Sequence, residues 1–126
     1  MKKKLTIGSC VYDDFNGIYF TMNNLRLQNL DILDDLDLLI IDQNPNSKHG
    51  EETAKFARVA GIRYIPYTEK ISTASRNKIF DYAEAPFALC IDCHVLFEPN
   101  TIKKLIDFYD RRPDTNDLYQ GPLFWD

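Results

Sequence analysis

Leu38-Leu39-Ile40-Ile41 is an unbroken apolar run that stops on Asp42. A strand with apolar side chains at both odd and even positions has to be covered on both faces, which points to a parallel sheet with helices on each side. Three further segments read as strands. Leu5 to Val11 empties into Tyr12-Asp13-Asp14-Phe15-Asn16-Gly17, Ile62 to Tyr67 forms the next strand, and Phe87 to Asp92 is followed by Cys93-His94.

Stretches with helical spacing separate these runs. Ile18, Met22 and Leu25 set one face of a helix over Ile18 to Leu30, with Asn and Gln on the other. Glu51 to Ala60 turns Phe56, Val59 and Ala60 to one side and ends at Gly61, and Ser72 caps a helix to about Ala83 that faces the sheet with Ile79, Phe80 and Ala83. Ile102, Leu105, Ile106 and Tyr109 repeat at three and four, so a last helix runs to about Arg111. The acidic segment Asp31 to Asp37 lacks the glycine turn and ligand spacing of an EF-hand and is read as a solvated connector. Gln43 to Gly50 is a surface loop, and Leu118-Tyr119 starts a last strand. Strands alternating with helices predict right-handed βαβ units in an α/β fold, with a doubly wound, mainly parallel sheet.

The chain has 126 residues, enough for one domain with a real core, so residues 1–126 are taken as a single unit. A formal charge of −4 gives no footprint for a polyanion, which argues against nucleic acid as a partner. Leu5 to Val11 is too short and too broken by Thr6, Gly8 and Ser9 for a signal peptide. No window approaches the roughly 20 apolar residues of a membrane span. With three cysteines, an odd number suited to reduced thiols, the expected location is cytoplasmic.

In open sheets of this kind ligands gather at the carboxyl ends of the strands. Here those ends deliver Asp13 and Asp14, then Asp42, then Asp92-Cys93-His94. If the last strand continues through position 94, alternation puts Asp92 and His94 on one face and turns Cys93 away. A carboxylate with an imidazole suits manganese or another borderline metal better than calcium or magnesium. A histidine packed half-buried against the sheet is the competing reading of His94. Arg76 lies near a helix start, where a cation and backbone amides can face phosphates, or it is an ordinary surface arginine.

Tyr12-Asp13, the run Leu39-Ile40-Ile41-Asp42, Ala74-Ser75-Arg76-Asn77 and Ile91-Asp92-Cys93-His94-Val95 with Glu98-Pro99-Asn100 follow one another in an order that resembles family 2 glycosyltransferases. The likeness covers nearly the whole chain and implies the GT-A fold. It also implies that Asp13 and Asp42 hold the base and ribose of a nucleotide-sugar donor, a UDP-sugar being favoured, with Arg76 beside the phosphates. Asp92 and His94 would then bind a divalent metal, Mn2+ in preference to Mg2+. Where the family carries Asp-x-Asp, this chain has Asp-x-His, a variant similar to that of polypeptide N-acetylgalactosaminyltransferases. Family members continue beyond this length, and their second half supplies the catalytic base and the pocket for the acceptor, here an unknown saccharide, lipid or protein. The resemblance therefore implies the N-terminal half of a longer GT-A domain, with donor binding expected more readily than transfer.

Three other readings compete. Cys90-Ile91-Asp92-Cys93-His94 spells the CxxCH of haem attachment and the CxxC of zinc sites, but it ends an apolar strand and lacks further ligands at a recognisable spacing. A receiver-like signalling domain also wants an acidic pair after its first strand, yet only one helix separates Asp14 from Asp42 here. A catalytically inert nucleotide-binding module is the third.

Overall fold

The computed structural model describes residues 2–69 and 71–121. Strand β1 (Leu5–Val11) leads into helix α1 (Phe15–Gln28), and a 3₁₀ turn (Leu30–Asp35) returns the chain to β2 (Leu36–Asp42). Helix α2 (Lys48–Ala60) connects to β3 (Arg63–Pro66), and a 3₁₀ turn (Thr73–Arg76) with α3 (Asn77–Tyr82) crosses to β4 (Phe87–Ile91). Helix α4 (Thr101–Asp110) follows. All pairings are parallel and the order is β3-β2-β1-β4, so the chain steps outward twice from β1 and then crosses back to its other side. That reversal makes a topological switch point between β1 and β4.

Alternation along the strands sorts two cores. Leu5, Ile7, Leu36, Leu38, Ile40, Leu89 and Ile91 face α1, α2 and α4, where Ile18, Met22, Leu25, Ala57, Ile102 and Ile106 close over them. Leu39 and Ile41 face the other way, joined by Cys10, Ile65 and Cys90, and meet Ile79 of α3. Both faces of β2 are thus covered, as its unbroken apolar run requires. Among the described residues no helix is long and apolar enough to cross a membrane.

Several expectations need correction. Helix α1 begins three residues before Ile18 because the Asp14 carboxylate caps it, accepting from Gly17 N–H at 2.9 Å. Ser47 caps α2 through Gly50 N–H in the same way, so the last part of the expected loop is helix, and Gly61, at φ 70°, ends it in the left-handed conformation. Val59 is 86% exposed and Ala57 takes its expected place inside. Phe80 is 53% exposed, leaving Ile79 to face the sheet alone among the buried residues of α3. Asp37 is not part of a solvated connector: it lies in β2, is 4% exposed, and is paired with Arg63. Strand β4 stops at Ile91, one residue short of Asp92, and Leu118-Tyr119 forms no strand.

Candidate functional site

The carboxyl ends of β1, β2 and β4 form an open rim. At the end of β1, Tyr12 and Asp13 are exposed, and Asp13 holds φ 54°, a left-handed conformation that Asp tolerates better than most residues. His49 Nδ1 accepts from Phe15 N–H at 3.1 Å and ties this turn to the start of α2.

Asp42 lies beneath the rim, on the side of α1 and α2, and is 1% exposed. Its carboxylate accepts from Asn44 N–H at 2.9 Å and from the Tyr64 hydroxyl at 2.6 Å, which organises the loop after β2. Burial, reinforced by this carboxylate, pushes the Tyr64 phenol far above its ordinary range, so it stays a donor.

On the α3 side, Arg76 donates to Asp92 at 2.5 Å, and both side chains are about half exposed. Ser72 orients this arginine's turn by capping it through Ala74 N–H at 3.2 Å.

With β4 ended at Ile91, residues 92–97 follow their own path, and α1 holds it. The Thr21 hydroxyl accepts from Val95 N–H at 2.9 Å and donates to Val95 C=O at 2.8 Å. Asn24 Oδ1 accepts from Phe97 N–H at 2.9 Å. These two side chains do for the segment what a neighbouring strand would, satisfying its backbone in pairs.

This clamp turns Cys93 inward. Its Sγ lies 3.8 Å from Asp14 Oδ2 and 4.0 Å from His94 Nδ1, and the donor atoms of Asp14, Cys93 and His94 all lie within 4.8 Å of one another. Such a trio is close enough to share one cation. Burial pushes the Cys93 thiol up to about 11, and the Asp14 charge adds to the shift. Burial likewise raises the Cys10 and Cys90 thiols.

Of the residues singled out by sequence, Arg76 and Asp92 are thus brought into contact, while His94 is grouped with Asp14 and Cys93. Asp42 is held apart from them below the surface. The expectation that Cys93 points away from Asp92 and His94 required the strand to continue through position 94, but it ends at Ile91 and leaves Cys93 beside His94. Thr21, Asn24 and the capping role of Asp14 were missed; polar residues at three-residue spacing on α1 were the available signal. A hollow of 300 Å³ lies at the opposite, amino end of the strands, lined by Lys2 to Leu5, Pro86, Phe87 and Tyr109 among others, and plays no part in the rim.

A family model described as glycosyl transferase family 2 matches residues 6–121. No curated protein sequence matches the chain. Among solved structures, S. aureus TarS superposes with a TM-score of 0.72 at 18% identity, over 87% of this chain and 20% of that one. TarS 1–349 in complex with UDP-GlcNAc gives 0.71 at 16%, over 86% of this chain and 31% of that one. The mannosyltransferase PcManGT from Pyrobaculum calidifontis, in complex with GDP-Man and Mn2+, gives 0.72 at 13%, over 86% and 33%. At these identities the likeness is one of fold, and the chain spans a third or less of each of these proteins.

Proposed function

The chain belongs to glycosyl transferase family 2, and from that premise we propose that it is the nucleotide-sugar-binding part of a glycosyltransferase, with the donor seated on the rim at the β1/β4 switch point. One observation carries this reading: Asp13, Arg76, Asp92 and His94 all emerge at the carboxyl end of one parallel sheet, where this class of fold binds its ligands.

Arg76 and Asp92 neutralise each other in the free protein. A half-exposed ion pair of this kind contributes only ~0–1 kcal/mol, so it exchanges readily for ligand contacts. On donor binding the Arg76 guanidinium turns to the diphosphate, whose oxygens match its planar donors. Asp92 is then freed, and its carboxylate with the exposed His94 imidazole two residues on offers the ligand types that a divalent ion of the Mn2+ class takes. Such an ion, when bound, supplies Lewis-acid neutralisation of the charge that builds on the leaving diphosphate. Asp13, exposed at the end of β1, faces the base and ribose. Asp42 supports that end of the site through the Asn44 backbone and the Tyr64 hydroxyl it holds. A receiver-like reading fits less well, because receivers order their strands 2-1-3-4-5.

Calorimetry with UDP and with GDP, each with and without Mn2+, tests the reading. A nucleoside diphosphate should bind only with the metal, and Asp92→Ala or His94→Ala should abolish that dependence. Absent or metal-independent binding for both nucleotides would sink it.

A further inference from the structure

Behind the proposed donor site lies a second set of donor atoms, which shares His94 with it and adds two side chains that it does not use. Asp14 reaches it from the turn after β1, while Cys93 and His94 reach it from the segment after β4. The Asp14 carboxylate is divided between two tasks. Oδ1 is fixed by Gly17 N–H at 2.9 Å, which leaves Oδ2 aimed at Cys93 Sγ 3.8 Å away. A ligand whose second oxygen is anchored by a backbone amide is pre-oriented, as outer-shell partners orient metal ligands generally.

The approach of the two segments depends on a glycine. A Cβ at position 17 would collide with Asp14 Oδ2 and with the Cys93 carbonyl oxygen, so α1 can start this close to the cluster only without a side chain there. Thr21, one turn further along α1, holds Val95 through both backbone groups and fixes the segment that carries Cys93 and His94. The cluster is therefore built from two segments far apart in sequence and locked from both.

Its chemistry is selective. Thiolate, imidazole and carboxylate together suit Zn2+, whereas Mg2+ and Ca2+ favour all-oxygen shells and Mn2+ ranks far lower for sulfur. In a tetrahedral zinc site, ligand lengths of about 2.3 Å to sulfur and 2.0–2.1 Å to nitrogen place those two atoms about 3.6 Å apart. Cys93 Sγ and His94 Nδ1, at 4.0 Å, need to close by only a few tenths of an ångström. One carboxylate and one thiolate balance the charge of a divalent ion, and exposed His94 leaves the fourth position open to water or an anion.

We infer that Asp14, Cys93 and His94 bind one Zn2+, in a site with three protein ligands that excludes the Asp92 carboxylate. The two sites compete for His94, so the zinc site is tested with no nucleotide and no Mn2+ present, where only its own failure can be read.

Co2+ serves as the spectroscopic probe, titrated into the purified full chain under reducing conditions, followed by displacement with Zn2+. The expected result is a near-ultraviolet thiolate-to-cobalt charge-transfer band that saturates at one ion per chain and is erased by Zn2+. Cys93→Ser should remove the band while circular dichroism stays unchanged. His94→Ala, at an exposed position where folding is not at stake, should weaken Co2+ binding at least about tenfold, since even outer-shell changes cost that much. Asp92→Ala should leave both the band and the affinity intact. No band in the unaltered chain, a band that survives Cys93→Ser and so belongs to Cys10 or Cys90, or equal losses in Asp92→Ala and His94→Ala would each overturn the site.

Discussion

Single residues divide sharply between those whose role follows from the residue type and those whose role depends on a partner far away in sequence. Asp37 belongs to the second kind. As one more acid in the segment 31–37 it reads as solvated, yet it accepts from Arg63 at 2.7 and 2.9 Å and from the Thr6 hydroxyl at 2.7 Å. No local pattern announces an arginine 26 positions later. Burial alone would raise its carboxyl, but the Arg63 and Thr6 hydrogen bonds outweigh it and hold the group below the usual carboxylate range. A depressed folded-state value means the stabilisation is present above the unfolded value of about 3.9 and is lost as pH falls through the folded one. Urea midpoints measured from pH 7 to pH 3 should therefore drop below about pH 4. Asp37→Asn should flatten that drop and lower stability at pH 7 by on the order of 2 kcal/mol, less than for a fully buried pair because Arg63 is 29% exposed. An unchanged acid limb in the variant would refute the assignment. Ser9 makes the opposite case: its buried hydroxyl has no partner among the described residues, so Ser9→Ala should raise the urea midpoint at constant slope, a gain of about 1 kcal/mol.

At the scale of elements, β1 was legible to its ends because apolar alternation and the polar cluster at Tyr12 bound it on both sides, and the helices were legible in existence more than in extent. What escaped was decided by side chains acting as backbone partners. Helix α1 starts early through a carboxylate cap, and β4 ends early because Thr21 and Asn24 take over the backbone groups of Val95 and Phe97. That second substitution matters for the site, since it breaks the strand alternation that would have aligned Asp92 with His94. It also predicts where the rim should loosen first. Thr21→Val keeps the shape of a fully buried side chain but removes the hydroxyl from both bonds to Val95. Amide exchange should then accelerate at Val95 and neighbouring positions while β1 and β2 keep their protection, and Asn24→Ala should do the same at Phe97. Uniform acceleration across the sheet would instead mean that the clamp serves global stability alone.

Across the whole molecule the two sides of the sheet are unequal. Among the described residues, three helices cover one face, whereas the other rests on Leu39, Ile41 and Ile79, with one short helix and its leading turn reaching β1, β2 and β4. That thin cover is also what carries Arg76 to the rim. Ile79 is wholly buried and packs against β1 closely enough that a Cβ at Gly8 would meet it. Ile79→Ala should cost about 2–5 kcal/mol, the usual range for emptying such a site. The loss should fall unevenly, because the thick face keeps its own contacts. Residues 72–83 should exchange amides faster than α1 or α2, and an Arg76 no longer anchored should weaken nucleoside diphosphate binding without altering Co2+ uptake by Asp14, Cys93 and His94, which α1 positions from the other side. Parallel loss of both would mean that the rim is one mechanical unit in which the α3 side and the α1 side are not independent.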